Sequence, residues 1–169
     1  DEEAELGSKD PNLRMPPASI TKLMTAMVAV ETIALTDEIT ISAVADATPV
    51  GFVGQPEVFQ GEVWVMRDLL SNVLVQSGND ASTALAEAAG GTVEDFVTMM
   101  NAKAAALGMD DTTFRNPHGL DDAEHLSTAR DLVTMGRAAL DYPAVLAIAR
   151  VKHITLKIAG REIEMDATD

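Results

Sequence analysis

The 169-residue chain contains no cysteine, and it has only 12 lysine and arginine residues against 27 aspartate and glutamate residues, for a net charge of −15. Without cysteine no disulfide can form. A domain of this size does not require one, so the absence is compatible with export and leaves the redox compartment open. The shortage of basic residues argues against nucleic acid as a partner, because phosphates demand basic patches.

Long hydrophobic runs are also missing. The best candidate, Ile20 to Leu35, is interrupted by Lys22 and Glu31 and is too short to span a bilayer. The start of the chain shows no signal peptide. Hydrophobic residues nevertheless make up 47% of the chain, enough for one core. We therefore predict a single domain over residues 1–169.

Metal-ligand spacing is absent as well. His118 lies in an Asn-Pro-His-Gly turn, His125 lies in a segment that enters a helix, and His153 lies in a predicted hairpin. No His-Glu-x-x-His or other paired-ligand pattern links the three histidines. The sequence therefore predicts no metal site.

The most informative feature that is present is Ser19-Ile20-Thr21-Lys22, at the start of a densely apolar helical pattern and directly after Pro16-Pro17-Ala18. Residues three apart on a helix share a face, so the Lys22 amine can reach the Ser19 hydroxyl and remove its proton. Ser19 is thus a candidate nucleophile. In the alternative interpretation Ser19 only caps the helix and Lys22 is solvated, although the helix dipole disfavours a lysine in the first turn.

A second polar group, Ser77 to Asp80, falls between two helical patterns, Val65 to Val75 and Ala81 to Ala89. An ordinary turn would explain these residue types by itself. However, the apolar face of the second helix must pack against another element, and the Ser19 helix is the most apolar one. We therefore expect this turn to face Ser19.

The remaining patterns predict further short elements. They are a strand at 38–42, a loop or hairpin at 51–61, a helix that begins after a Thr92–Asp95 capping box and ends at Gly108, a helix from about Thr128 to Leu140, a short helix from Pro143, and a hairpin over 153–165.

Several segments together resemble the D-alanyl-D-alanine carboxypeptidases, which are low-molecular-mass penicillin-binding proteins. They occur in the family's order from about Lys9 to the end of the chain. These segments are Pro-Pro-Ala-Ser-Ile-Thr-Lys-Leu-Met-Thr-Ala (16–26), Ser-Gly-Asn-Asp-Ala-Ser (77–82), Met-Asn-Ala-Lys (100–103), Asn-Pro-His-Gly-Leu (116–120) and Ser-Thr-Ala-Arg-Asp-Leu (127–132).

The resemblance implies a division of labour among four residues. Ser19 would form an acyl-enzyme with Lys22 as its base, Ser77 would relay a proton to the leaving group, and Asn79 would hold the substrate's amide. The implied partners are a peptidoglycan stem peptide ending in D-Ala-D-Ala and β-lactam antibiotics as covalent inhibitors, with no cofactor. His118 and His125 would be structural turn residues.

The implied fold is α+β, of the β-lactamase/transpeptidase type. Here the chain supplies mainly the helical part, and the main antiparallel sheet is largely missing. The stretch from Asp1 to Leu13 is acidic and lacks strand alternation, and no Thr-Gly dipeptide provides the family's Lys-Thr-Gly motif. The chain could be an incomplete part of a longer enzyme, a core fragment, or a degenerate relative that binds muropeptides. We favour incompleteness, because the strand-like end stops where the family's chain continues.

Two functional hypotheses follow. The first is a penicillin-sensitive serine carboxypeptidase, and the second is a non-catalytic muropeptide-binding relative. A class A β-lactamase is a weaker third, because no Glu-x-x-Leu-Asn-type segment lies between Ser77 and Asp169. The implied substrate places the protein outside the cytoplasmic membrane, and the family leaves room for peripheral membrane association.

Overall fold

Helices dominate the molecule, with two small antiparallel sheets beside them. The structure, a computed structural model, describes residue 7, residues 9–52 and residues 55–167. A 3-10 turn, Ala18–Ile20, leads into the first helix. The elements are α1 Thr21–Thr32, β1 Glu38–Thr40, α2 Ala43–Asp46, β2 Val63–Val65, α3 Met66–Val75, α4 Asn79–Gly90, α5 Val93–Ala106, α6 Ala129–Ala139, α7 Pro143–Ala149, β3 His153–Ile158 and β4 Arg161–Asp166.

Helix α1 is buried on almost every side, which explains why its sequence is too apolar for a surface helix. Ala26 and Ala29 belong to a core cluster formed with the two sheets, α3, α4 and α7. Met24 and Met27 belong to a second cluster, which includes Phe96 of α5 and residues from α4 and α6. Because α1 contributes to both clusters, its first turn is fixed by packing on both sides.

The two sheets are each two-stranded. Strands β1 and β2 pair antiparallel, with Ile39 opposite Trp64, and β3 and β4 form a hairpin with Leu156 opposite Ile163. The predicted strand at 38–42 and the predicted hairpin are confirmed. The prediction that the helical pattern starts at Val65 was wrong by one residue, since Val65 ends β2 and α3 begins at Met66.

The helix boundaries follow the predicted capping signals. The Thr92 hydroxyl accepts a hydrogen bond from the Asp95 N–H, as an N-cap does, and it donates one to the Asp95 carboxylate. Gly108 follows the end of α5 with a positive φ of 75°. Thr128 caps α6, and Pro143 occupies the first position of α7. These predicted helices are confirmed.

Two isolated bridges organise the region after α5, and one of them ties it to the early part of the chain. Met15 pairs with Ser127, and Thr113 pairs with Leu126. The prediction for Asp1 to Leu13 lies mostly outside the described residues, as do positions 53 and 54 of the predicted loop at 51–61. Within the described ranges no single helix is long and apolar enough to cross a membrane, although α6 and α7 pass the same test as a pair bent by 103°.

Candidate active site

The Ser19 hydroxyl is exposed on the 3-10 turn that precedes α1. Ala18, immediately before it, has a φ of 49°, a left-handed conformation that is unfavourable for a residue with a Cβ. No side-chain hydrogen bond caps this turn or α1. The interpretation of Ser19 as a helix cap is therefore wrong.

The Lys22 side chain is buried, with 3% of the residue exposed, so the alternative of a solvated lysine is also wrong. Its Nζ donates to three oxygens from three parts of the chain. The distances are 3.1 Å to Ser19 Oγ, 2.8 Å to Asn79 Oδ1 and 2.7 Å to the His118 carbonyl oxygen. All three acceptors are uncharged, so the ammonium is fixed in position without a paired anion.

Burial lowers the pKa of Lys22 to about 8, although the nearby charge of Asp80 acts in the opposite direction. A neutral amine has two N–H donors and one lone pair. With the donors on Asn79 and His118, the lone pair faces Ser19 Oγ. Lys22 can therefore accept the Ser19 proton at a pH close to neutrality.

The turn between α3 and α4 brings Ser77 to the same place. Ser77 has a φ of 59°, another left-handed conformation at a residue with a Cβ. Its hydroxyl donates to Ser19 Oγ at 3.0 Å. The structure thus brings together the predicted residues Ser19, Lys22 and Ser77, and the turn faces Ser19 as the packing argument required.

The Asn79 amide is buried at the start of α4, and both its oxygen and its nitrogen are hydrogen-bonded. Oδ1 accepts from Lys22, and Nδ2 donates to the Pro49 carbonyl at 2.9 Å. Gln55 also contacts this turn, because its Nε2 donates to the Gln76 carbonyl at 2.6 Å. Asn79 therefore orients the Lys22 amine, and its contact with a substrate amide stays a prediction.

Loop 116–120 is the third part of the chain that meets at Lys22, so His118 does more than serve as the turn residue that the resemblance implied. The Pro117 carbonyl accepts a hydrogen bond from the Thr25 hydroxyl at 2.6 Å, and the His118 carbonyl accepts from Lys22. Gly119 has a φ of 86°, and a Cβ on it would overlap the carbonyl oxygen of Ala18. Only glycine allows this loop to approach the Ser19 turn so closely.

Two neutral imidazoles support the loop. Burial, with the nearby charge of Lys22, lowers the pKa of His118 to about 4. Burial also lowers the pKa of His125, whose Nδ1 accepts from the Arg115 N–H, so its Nε2 donates to Thr21 Oγ1 at 2.8 Å. Within the described residues, no group of three or more metal-ligating side chains could hold a metal ion.

Known proteins resemble this chain over nearly its whole length. The family model described as D-alanyl-D-alanine carboxypeptidase matches residues 4–168. The D-alanyl-D-alanine carboxypeptidase DacF of Bacillus subtilis is 36% identical over 147 residues, which cover 83% of this chain and 36% of that protein. The chain therefore spans little more than a third of the length of this curated relative.

Solved structures show the same fold. The D-alanyl-D-alanine carboxypeptidase from Mycobacterium tuberculosis superposes with a TM-score of 0.89 and 33% identity, covering 97% of this chain and 61% of that one. Penicillin binding protein 6B from Escherichia coli superposes with a TM-score of 0.83 and 34% identity, covering 94% and 52%. The predicted fold class, with its helical part present and its main sheet largely missing, is confirmed.

Proposed function

The chain belongs to the D-alanyl-D-alanine carboxypeptidase family, and from this premise we propose that its protein is a serine-type carboxypeptidase acting through an acyl-enzyme on Ser19. The substrate is a peptidoglycan stem peptide that ends in D-Ala-D-Ala. The observation that carries the proposal is the buried Lys22 amine, 3.1 Å from Ser19 Oγ and held by uncharged acceptors.

The acylation step follows from this geometry. Neutral Lys22 takes the proton from Ser19 Oγ, and Oγ attacks the carbonyl carbon of the penultimate D-alanine. As the tetrahedral intermediate collapses, the C–N bond breaks. The proton on Lys22 passes to the nitrogen of the departing D-alanine, with the Ser77 hydroxyl as relay, since Ser77 Oγ lies 3.0 Å from Ser19 Oγ. An ester on Ser19 and free D-alanine result.

Hydrolysis of the ester uses the same groups. A water molecule gives a proton to Lys22 and attacks the ester carbonyl carbon. When the ester bond breaks, Ser19 Oγ takes that proton back from Lys22. Asn79, which keeps Lys22 in place, also holds the substrate's amide through the N–H of Nδ2 that does not bond Pro49. The shortened peptide then leaves.

The proposed chemistry also defines inhibitors and location. β-Lactam antibiotics acylate Ser19, because their strained amide occupies the position of the D-Ala-D-Ala bond. Peptidoglycan stem peptides lie outside the cytoplasmic membrane, so the protein acts in the periplasm or on the outer face of the membrane.

A fluorescent penicillin tests the proposal. After incubation, intact-protein mass spectrometry should find one adduct per chain, and Ser19→Ala should abolish it. Ser71→Ala is the matched control, because the Ser71 hydroxyl bonds the Arg67 carbonyl within α3 and takes no part in the site. A folded parent chain without an adduct, or an adduct that persists in Ser19→Ala, would contradict the proposal.

The alternative is a muropeptide-binding relative without turnover. Binding of a D-Ala-D-Ala-ending muropeptide, measured by calorimetry, would then occur with no penicillin adduct and no release of D-alanine. Release of D-alanine that depends on Ser19 excludes this candidate.

A further inference from the structure

The carboxylate of Asp80 is buried one residue after Asn79, in the first turn of α4, with 1% of the residue exposed. Oδ2 accepts a hydrogen bond from the Val58 N–H at 2.8 Å, and Oδ1 accepts one from the Ala81 N–H at 2.7 Å. Two oxygens that both accept from backbone N–H groups match an ionised carboxylate, which has no proton to donate. The site therefore contains a buried negative charge.

This carboxylate has no cation in contact with it. Within the described part of the chain, no lysine, arginine or histidine lies within 4.0 Å of its oxygens. The charge of Glu57 acts on this carboxylate, and the carboxylate's own charge acts on Lys22 of α1. Since Glu57 is negative, Lys22 is the available balancing charge.

Lys22, in turn, has no negatively charged group among its hydrogen-bond acceptors. Its three hydrogen-bond acceptors, Ser19 Oγ, Asn79 Oδ1 and the His118 carbonyl, are all uncharged. Of the titratable groups that act on it, His118 is a neutral imidazole and Asp80 is the anion. Asp80 directly follows Asn79, whose Oδ1 accepts from Lys22 Nζ at 2.8 Å, and no ion pair within 4.0 Å joins Lys22 to Asp80.

We propose that Asp80 is a positioning residue that acts as the buried counter-charge of Lys22. Without direct contact, the Asp80 charge stabilises the ammonium form of Lys22 against the effect of burial. It therefore sets the pH at which Ser19 becomes acylated. The part concerning acylation rests on the proposed function, whereas the coupling between the two charges does not.

The electrostatic directions agree with this geometry. Burial lowers the pKa of Lys22, and the Asp80 charge raises it, which leaves a value of about 8. Burial raises the pKa of the Asp80 carboxyl above its ordinary value, with the Glu57 charge acting in the same direction and the hydrogen bonds from Val58 and Ala81 opposing them. Removal of the Asp80 charge should therefore move the pKa of Lys22 downward.

The variant Asp80→Asn tests the coupling, with the lysines labelled at the ε carbon for NMR titration. The chain has five lysines, so Lys22 can be followed beside four internal references. The pKa of Lys22 should fall in Asp80→Asn while the other four stay unchanged. The pH midpoint of penicillin acylation should fall by the same amount. An unchanged Lys22 pKa in the folded variant would overturn the proposal.

Asp131→Asn is the matched control. Asp131 is also a buried aspartate in the first turn of a helix, and its Oδ2 accepts from the Asp111 N–H and the Thr112 hydroxyl. Its loss should cost stability without moving the pKa of Lys22, because Asp131 is not among the charges that act on that amine. An equal shift of the Lys22 pKa in Asp131→Asn would show that the loss of any buried aspartate changes this pKa through a general loss of packing. That result would also overturn the proposal.

A reciprocal experiment leaves Asp80 in place and covers the case in which Asp80→Asn fails to fold. Linkage requires the same coupling from either side, so Lys22→Met should raise the pKa of the Asp80 carboxyl, followed by NMR at its γ carbon. An unchanged Asp80 pKa would overturn the counter-charge. If penicillin never labels the parent chain, the proposed function fails, while both NMR titrations still decide the coupling.

Discussion

The two ends of α1 place a lysine in opposite circumstances. At the first turn Lys22 is buried and donates only to uncharged oxygens. Near the last turn Lys103 of α5 bonds the Glu31 carboxylate at 2.6 Å and lies 5.4 Å from the centre of the Tyr142 ring. The hydrogen bond that Lys103 donates to Glu31 raises the pKa of Lys103, whereas burial lowers the pKa of Lys22.

The comparison shows what makes a lysine useful as a base. A carboxylate in contact stabilises the ammonium form and keeps the proton, while burial among dipoles destabilises it. Both lysines have a fixed geometry, so geometry alone does not distinguish them. The difference lies in burial, which is nearly complete for Lys22, and in the carboxylate that touches Lys103.

Of the changes considered for the two ends of α1, replacement of Lys22 by Met should have the largest effect. Without the amine, acylation of Ser19 by penicillin should fall by about 10²–10⁴-fold, the usual contribution of a positioned base. The fold should persist, because the flexible, apolar Met side chain suits a buried position. The rate is measured by time-resolved intact mass, with circular dichroism as the folding control. Acylation near the parent rate would exclude Lys22 as the base.

The pH dependence of acylation in the parent chain also tests whether Lys22 is the base. Only neutral Lys22 can accept the Ser19 proton, and its pKa lies at about 8. The acylation rate should therefore rise with pH and level off above 8, and at pH 6 it should be about 100-fold below that plateau. A rate that stays flat from pH 6 to 9 would contradict a base with this pKa.

A change at Gly119 should affect the Lys22 end through the backbone. Gly119→Ala places a Cβ against the Ala18 carbonyl at a positive φ, which should cost about 2 kcal/mol or more of unfolding free energy and slow acylation. Gly136→Ala is the control, since a Cβ there meets no atom within 4 Å and α6 should gain about 0.5 kcal/mol. Urea unfolding checks both values, and equal stabilities would contradict the close approach.

Lys103→Met should have the smallest effect. The pair with Glu31 is partly exposed, so its loss should cost no more than about 1 kcal/mol in urea unfolding. Acylation of Ser19 should be unchanged, because this lysine contacts the far end of α1. A large loss of acylation in a folded Lys103→Met chain would remove the distinction between the two ends.

Local signals in the sequence predicted most of the helices and one strand pair. The Thr92–Asp95 capping box, Pro143 and the alternation around 153–165 are all short-range patterns, and each element formed where its pattern indicated. Strand β2 was missed because its three residues run directly into α3, so that Val65 fits the apolar pattern of the helix. Its pairing with β1 comes from the burial of Trp64 beside Ile39, a contact distant in sequence.

In the candidate site, too, some features have a signal in the sequence and others depend on contacts between distant parts of the chain. Ser19, Lys22, Ser77 and Asn79 could be picked out because their side chains carry a motif. The carbonyls of Pro49, Pro117 and His118, which hold Asn79, Thr25 and Lys22, could not be picked out. Every residue has a carbonyl, so its use as an acceptor depends on the loop conformation and leaves no mark on residue type.

The acceptors of Lys22 lie far apart along the chain, 57 residues away at Asn79 and 96 residues away at His118. No short fragment and no partly folded intermediate can assemble them, because α1, α4 and loop 116–120 must all have docked first. Covalent labelling by a penicillin would then count only fully folded molecules. The same reagent that tests the chemistry would thus serve as a kinetic probe of when refolding is complete.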